Sequence, residues 1–266
     1  MQPLRECPEA ALAALRGVLT DIDDTLTTDG RLPAQAYVAM ERIEQAGLVL
    51  VPITGRPAGW CDHIARMWPV AAVVGENGAF WFRYDRSRRR MIRRFTVSED
   101  VRRAQRESLR KLGAEILRAV PAARISSDQR YREADLAIDF SEDVARLPEH
   151  DVARIVALMQ EHGLTVKVSS IHVNGWFGAY DKLSASLDLL AGQLGASAGS
   201  VRDDYAFIGD SPNDEPMFGF FSLSVGVANV CDFPAMDTLP RYVTAGRGGS
   251  GFAEFAERLV RATSRA

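Results

Sequence analysis

Cysteine and histidine are scarce in this sequence, and neither occurs in a spacing typical of a metal site. The three cysteines, Cys7, Cys61 and Cys231, are odd in number and far apart. This argues against a disulfide framework or a zinc cluster and favours a reducing compartment. The four histidines also lack metal-ligand spacing. A fold stabilised by zinc or by disulfides is therefore not expected.

The sequence also lacks a long apolar run and a strong excess of charge of one sign. No apolar stretch approaches the roughly 18 residues that span a bilayer. Residues 1–16 are acidic before they are apolar, unlike the basic start of a signal peptide. The formal net charge of −3 argues against a dedicated nucleic-acid binder. We therefore expect a cytoplasmic globular protein with neither a membrane nor a nucleic acid as partner, and the oligomeric state stays open.

Lysine is rare as well. Only Lys111, Lys167 and Lys182 are lysines among 32 basic residues, and the others are arginines. Because an ammonium is a compact point charge and a guanidinium is planar, each lysine is more informative than usual. Lys182 lies at the predicted start of a helix, where the helix dipole does not favour a cation. An anionic partner would explain this position, and an ordinary exposed lysine is the alternative.

What the sequence has is a cluster of carboxylates after its first apolar strand. Val18 and Leu19 lead into Asp21, Asp23 and Asp24, and a turn-rich segment follows. Three carboxylates repel one another unless a cation or a proton-transfer task holds them together. Strand alternation would put the side chains of Asp21 and Asp23 on one side of the strand and that of Asp24 on the other. This favours Asp21 and Asp23 as the pair of carboxylates that acts together in the chemistry. A merely solvated acidic loop is the alternative.

Strands and helices alternate at the start of the chain. After the strand that ends at the aspartates, we predict a helix over 34–46, a strand over 48–53, a helix over 57–67 and a strand over 70–74. This alternation predicts an α/β fold with a Rossmann-like parallel sheet and helices on both faces. Ligands of such sheets bind beyond the carboxyl ends of the strands, where Asp21 and Thr54 both lie.

From about residue 85 the pattern changes. We predict strands over 91–97, 134–140, 164–168 and 171–173 and helices over 99–117 and 151–162. This indicates an α/β domain inserted into the first one, with a core of residues 1–84 and 175–266 and an inserted cap of residues 85–174. Such a segment is too large for a connecting loop. We expect it to close over the strand ends, with hinges near residues 84–86 and 175–178.

Four short motifs, taken in order, resemble those of the haloacid dehalogenase (HAD) superfamily of phosphohydrolases. They are Asp21-x-Asp23-x-Thr25, then Thr54-Gly55-Arg56, then Lys182 at a helix start, and Gly209-Asp210-Ser211-Pro212-Asn213-Asp214 after an apolar strand. Each motif alone is weak, but the set covers nearly the whole chain. The insertion after the third strand resembles HAD subfamily IIB, which includes Cof-type, sucrose-phosphate, trehalose-phosphate and mannosyl-phosphoglycerate phosphatases as well as phosphomannomutases.

The resemblance implies a phosphoric monoester hydrolase with four catalytic side chains. Asp21 would attack phosphorus and form an aspartyl-phosphate. Asp23 would protonate the leaving oxygen and then activate the water that hydrolyses the intermediate. Thr54 would donate its hydroxyl to a phosphate oxygen, and Lys182 would be drawn inward by the phosphate and by Asp21.

The resemblance also implies a metal cofactor. Mg²⁺ prefers oxygen ligands and would offset the repulsion between the aspartates and a phosphate dianion. By resemblance, Mg²⁺ would be held by Asp21, by the main-chain carbonyl of Asp23 and by Asp210, with Asp214 close by.

The expected substrate is a small phosphorylated metabolite, with a sugar or glycosyl phosphate as the favoured class. Candidate residues for substrate binding are Arg56, Asn77, Arg132 and Asn174, with Arg130 and His172 as further candidates. A phosphosugar mutase of the same architecture is the nearest alternative. The run of seven arginines between residues 83 and 94 leaves a non-catalytic polyanion-binding module as a third, although such runs are more often the solvated face of a hairpin.

Overall fold

The computed structural model describes residues 1–169, 171–197 and 199–265. Within them, thirteen strands occur in chain order: β1 Gln2–Pro3, β2 Gly17–Asp21, β3 Val49–Ile53, β4 Val73–Gly75, β5 Phe80–Asp85, β6 Arg90–Phe95, β7 Arg124–Ile125, β8 Asp135–Asp139, β9 Thr165–Val168, β10 His172–Trp176, β11 Tyr205–Gly209, β12 Leu223–Gly226 and β13 Tyr242–Val243.

Nine α-helices accompany these strands in the described ranges. They are α1 Glu9–Ala13, α2 Ala34–Gln45, α3 Ala58–Met67, α4 Glu99–Ala119, α5 Glu149–Glu161, α6 Lys182–Gln193, α7 Val201–Asp204, α8 Glu215–Phe220 and α9 Gly248–Thr263. None of the described helices is long and apolar enough to cross a membrane.

Nine strands form one large sheet in the order β1-β13-β12-β11-β2-β3-β4-β5-β6. The first seven strands of this order pair in parallel, and β5 and β6 are added antiparallel at one edge. Apolar clusters cover both faces of the sheet, as expected for a parallel sheet that is buried on both sides. The predicted α/β fold with a largely parallel sheet is confirmed.

The central strands bring the candidate residues to one edge of the large sheet. β2 lies between β11 and β3, all three parallel, and all five residues of β2 and of β11 are buried. Asp21 ends β2, Thr54 follows β3 and Asp210 follows β11. Because parallel neighbours end at the same edge, residues far apart in sequence meet there.

The inserted segment forms a second, antiparallel sheet in the order β7-β8-β10-β9. Its helices α4 and α5 pack on this sheet around an apolar cluster that includes Ile116, Ile138, Ile155 and Val173. We refer to this sheet and its two helices as the cap. A separate core of this kind is what an independently packed unit needs.

The strand predicted at 91–97 does not belong to the cap. It pairs as β6 with β5 and extends the large sheet, because Phe80, Phe82 and Phe95 pack their rings together with centroids 4.4 to 5.7 Å apart. At the other end, the cap strand β10 continues to Trp176. We therefore propose chain crossings near residues 96 and 177 in place of those expected at 84–85 and 174–175.

Candidate active site

The acidic loop begins where β2 ends. The main-chain carbonyl of Ile22 accepts hydrogen bonds from the N–H groups of Thr25, Leu26 and Thr27 at 2.9 to 3.3 Å, and Asp24 has a φ of +59°. The chain thus turns directly after Asp21, and strand alternation does not continue to Asp23. Both side chains still line one narrow cavity, so the turn, and not the period of a strand, brings the predicted pair together.

Three buried carboxylates meet at this edge of the sheet. Asp21, Asp210 and Asp214 each offer an oxygen within 4.8 Å of the others. Burial, together with the charge of Asp214, raises the pKa of Asp21 to about 8, although Lys182 opposes the shift. Burial and the charges of Asp21 and Asp214 also raise the pKa of Asp210. Since like charges at this spacing destabilise one another, the all-oxygen cluster fits a hard divalent cation such as Mg²⁺.

Lys182 neutralises part of this charge. Its Nζ lies 2.6 Å from Asp21 Oδ1 and 2.9 Å from Asp214 Oδ1. The residue is the first of α6, a helix that is fixed by a capping box between Asp181 and Ser184. Burial would lower the pKa of Lys182, but the two carboxylates outweigh it and raise this pKa. The predicted anionic partner of this lysine therefore includes the candidate nucleophile itself.

Asp23 faces a different partner. Arg56 donates from Nε to both carboxylate oxygens of Asp23 at 3.1 Å and from Nη2 to Oδ1 at 2.9 Å. The Asp23 carboxylate is not in the three-carboxylate group. A metal role for Asp23 would accordingly rest on its main chain, as the family resemblance implied.

Arg56 also connects this edge of the core to the cap. Its Nη1 donates to Glu142 Oε1 at 2.9 Å, and His172 Nε2 lies 2.9 Å from Glu142 Oε2 as an ion-pair contact. This contact with His172 and the charge of Arg56 lower the pKa of Glu142 to about 2. Arg56 is therefore held between the candidate acid and the cap, and it is not free to meet a ligand in this arrangement.

Thr54 and Asn77 shape the other wall of the site. The Thr54 hydroxyl is buried and accepts a hydrogen bond from the Arg56 N–H at 2.9 Å, which leaves its own proton available to an acceptor. Asn77 donates its N–H to the Thr54 carbonyl at 3.1 Å and lines the cavity beside Gly55. Asn77 has a φ of +54°, a conformation that asparagine tolerates better than most residues.

Two residues proposed for substrate binding are engaged inside the cap. Arg132 pairs with Asp128 at 2.9 Å and with Asp135 at 3.0 Å, and it donates from Nη1 to the Gly55 carbonyl at 2.9 Å. Asn174 donates to Asp135 Oδ2 at 2.9 Å, yet it also lines the cavity. Arg132 thus joins the cap to the core, and Arg130 is exposed.

The cavity between core and cap is small. Its volume is about 30 Å³, which is room for one or two water molecules. The core contributes Asp21, Asp23, Gly55, Arg56, Asn77, Ser211 and Asn213, and the cap contributes Lys167, Ser169, Ile171, His172 and Asn174. Lys167 and Glu142 were not among the predicted site residues. The rarity of lysine pointed to Lys167, whereas no sequence signal distinguished Glu142.

Comparison with known proteins gives relatives over almost the whole chain. No protein-family model matches the sequence. A phosphoglycolate phosphatase of Saccharolobus solfataricus is 25% identical over 249 residues, which cover 92% of this chain and 95% of that protein. This relative agrees with the predicted phosphoric monoester hydrolase.

Solved structures match the fold. A HAD/Cof-like hydrolase from Plasmodium vivax has a TM-score of 0.69 at 18% identity, over 95% of this chain and 99% of that one. The C-terminal domain of a C. albicans trehalose-6-phosphate phosphatase has a TM-score of 0.69 at 14% identity, over 98% of each chain. The chain therefore has the fold of the HAD-like hydrolases that the sequence motifs predicted.

Proposed function

We propose that this protein is a Mg²⁺-dependent phosphomonoester hydrolase that acts on a small phosphorylated metabolite through an aspartyl-phosphate on Asp21. The observation that carries the proposal is the buried Asp21 carboxylate, held 2.6 Å from Lys182 Nζ beside two further carboxylates. In a purely structural role such a cluster is costly, because three buried carboxylates share one ammonium. It is the arrangement that a carboxylate nucleophile with a cation partner needs.

Three side chains of the site would have distinct roles in the attack on the phosphate. Asp21 would attack phosphorus, while Lys182 stabilises the charge on the attacking carboxylate and on the phosphate oxygens. Thr54 would donate its hydroxyl proton to one of those oxygens. When bound, Mg²⁺ would supply the remaining positive charge from the site formed by Asp21, Asp210 and Asp214.

Asp23 would give a proton to the leaving oxygen and then take one from the attacking water. In the described arrangement, Arg56 occupies both Asp23 oxygens. Asp23 can take up the proton-transfer role only after the guanidinium shifts. We propose that the cap moves with it, because Arg56 is bonded to Glu142 of the cap. The small cavity supports this, since a phosphate ester needs more room than one or two waters.

The substrate class rests on the relatives. Phosphoglycolate and trehalose 6-phosphate, the substrates in the relatives' names, are both small phosphorylated metabolites. We propose the same class for this chain, with sugar phosphates and phosphoglycolate as the first compounds to test. The arginine run gives less support to polyanion binding: Arg93 pairs with Asp62 at 2.7 Å, and Arg86 donates to the carbonyls of Arg66 and Trp68.

The test is release of inorganic phosphate from a panel of phosphorylated metabolites. Asp21→Asn is expected to keep the fold and to lower kcat by at least about 10³-fold, because it removes the attacking group. Asp29→Asn is the matched control, since Asp29 is exposed in the following turn and asparagine accepts its φ of +50°. Turnover of Asp21→Asn within tenfold of the wild type would contradict the proposal. Dependence on a sugar bisphosphate activator, without net phosphate release, would indicate the mutase instead.

A further inference from the structure

A second and larger cavity lies beside the candidate active site. Its volume is about 570 Å³, within the range of small-molecule pockets. Helix α3, the loop after β2 and the turn Gln129–Tyr131 of the cap enclose it. The aromatic side chains of Trp60, Trp68 and Tyr131 line it, and we call it the aromatic pocket.

The aromatic pocket and the narrow cavity share a wall. Asp23 and Arg56 line both of them. The Arg56 guanidinium carbon lies 4.7 Å from the centre of the Trp60 ring, while the same guanidinium holds Asp23. The group that would protonate a leaving oxygen therefore stands between the nucleophile and an aromatic surface.

The lining of the aromatic pocket is largely apolar. Among its lining residues, Ile22 and Ile64 are buried, whereas 45% of Trp60 and 52% of Tyr131 remain exposed. Large aromatic side chains left open beside a polar group are typical of a surface that binds a ring.

Both the core and the cap build this pocket. A Cβ at Gly59 of α3 would lie 2.9 Å from Tyr131 Cβ, so the glycine allows the turn of the cap to approach the helix closely. The position of Tyr131 over the pocket consequently depends on how the cap sits on the core.

We propose that the aromatic pocket binds the leaving group of the phosphate ester and selects leaving groups built on a ring with an apolar face. The inference rests on the proposed function, because it places the phosphate by Asp21 and the leaving oxygen by Asp23. The narrow cavity has no room for the rest of a substrate, and Asp23 and Arg56 form the wall that it shares with the aromatic pocket. Both an aryl ring and the C–H face of a pyranose offer the required apolar surface.

The test compares substrates with and without a ring. The kcat/KM for 2-naphthyl phosphate and for glucose 6-phosphate is measured relative to that for phosphoglycolate, which has no ring. Tyr131→Ala and Trp60→Ala are each expected to lower the ratio for at least one ring substrate by about tenfold, mainly through KM, as lost stacking predicts. Met67→Ala is the control, because Met67 is exposed on the same helix outside the pocket.

Comparison of the two ring substrates identifies which kind of ring the aromatic pocket binds. A loss confined to 2-naphthyl phosphate indicates an aryl leaving group, and a loss confined to glucose 6-phosphate indicates a sugar. Equal losses on all three substrates, or an unchanged ratio in both variants, overturns the pocket assignment.

A binding measurement separates this inference from the proposed function. Calorimetric titration with 2-naphthol needs no turnover. One outcome is that 2-naphthol binds, that Tyr131→Ala weakens this binding, and that the protein releases phosphate from none of the esters. This outcome would support the pocket assignment and refute the phosphatase. Phosphate release without any ring preference, and without 2-naphthol binding, would keep the phosphatase and refute the pocket.

Discussion

Glu76 is a buried residue whose replacement is expected to lower stability strongly. This residue is fully buried in the turn Glu76–Gly78 that follows β4. Its Oε1 accepts from the N–H groups of Ala58 at 3.0 Å and Glu133 at 2.9 Å, and its Oε2 accepts from Ala134 at 2.7 Å. One carboxylate thereby joins the start of α3 to the cap segment that leads into β8.

The size of the effect follows from these three donors. Glu76→Ala leaves three backbone N–H groups without their acceptor, each at a cost of about 1–3 kcal/mol. Local relaxation and water entry reduce the sum, so we expect the free energy of unfolding to fall by about 3–5 kcal/mol. Glu76→Gln keeps one acceptor oxygen but places an amide N–H₂ against a donor, and we expect a loss of about 1–3 kcal/mol.

The same residue predicts a pH dependence. Burial, aided by the nearby charge of Asp135, raises the pKa of Glu76 to about 8 from its ordinary value of 4.5, with Arg132 opposing the shift. The folded protein then binds more protons than the unfolded chain between these two values. Stability from this group is therefore fully present below pH 4.5 and is lost as the pH rises through about 8. Since an amide does not titrate in this range, the stability difference between wild type and Glu76→Gln should shrink over this window.

Urea unfolding, followed by both tryptophan fluorescence and circular dichroism, gives the free energies at about pH 5 and about pH 8, on either side of most of this window. Two probes are needed because the cap and the large sheet have separate apolar clusters, and two such units do not always unfold in one step. Glu44→Gln is the matched control, since Glu44 is exposed on α2. A loss below about 1 kcal/mol in Glu76→Ala, or a wild-type difference from Glu76→Gln that does not change with pH, would refute the reasoning.

Three further predictions concern charges at the site and at the cap. Lys182→Met leaves Asp21 and Asp214 without their ammonium partner. The free energy of unfolding, measured in chelator, should therefore be about 3–5 kcal/mol lower than that of the wild type, and added Mg²⁺ should restore part of this loss. Phosphate release should stop with chelator and return with Mg²⁺, and Asp210→Ala should raise the Mg²⁺ concentration required; full activity in excess chelator would contradict the metal assignment. Arg132→Met should lower stability and the turnover of every substrate together, because Arg132 is tied to its own aspartates; a change of preference among sugar phosphates alone would place it on the selecting surface instead.

The centre of the site could be predicted because it depends on the ends of parallel strands. Asp21 and Lys182 are 161 residues apart, yet their side chains meet at 2.6 Å. Each position can be identified from the local sequence pattern. Asp21 ends an apolar run that leads into aspartates, and Lys182 lies at a helix start, where the helix dipole disfavours a cation. Once the sheet is parallel, its carboxyl edge brings these positions together without any knowledge of side-chain packing.

The extent of the cap could not be predicted in the same way. Strand alternation identified β6 as a strand, but it does not say which sheet a strand joins. Phe80, Phe82 and Phe95 decide this by packing their rings across the β5–β6 pair. Such cross-strand contacts depend on register. The change of pattern near residue 85 in the sequence therefore coincides with the turn between β5 and β6. We propose that the chain crosses into the cap about ten residues later.

The residues of the cap that face a substrate were harder still to predict, for a reason that Arg132 and Asn174 make clear. Polar residues on an inserted domain can serve a ligand or can satisfy one another, and the sequence does not distinguish these uses. Asp135 lies on β8 with its side chain fully buried, so it requires partners, and Arg132 and Asn174 both supply them. A buried carboxylate left unpaired would cost several kcal/mol. The pairing of Arg132 with Asp135 therefore competes with ligand binding at Arg132, and we propose that substrate selection rests instead on residues such as Tyr131, which lines the aromatic pocket.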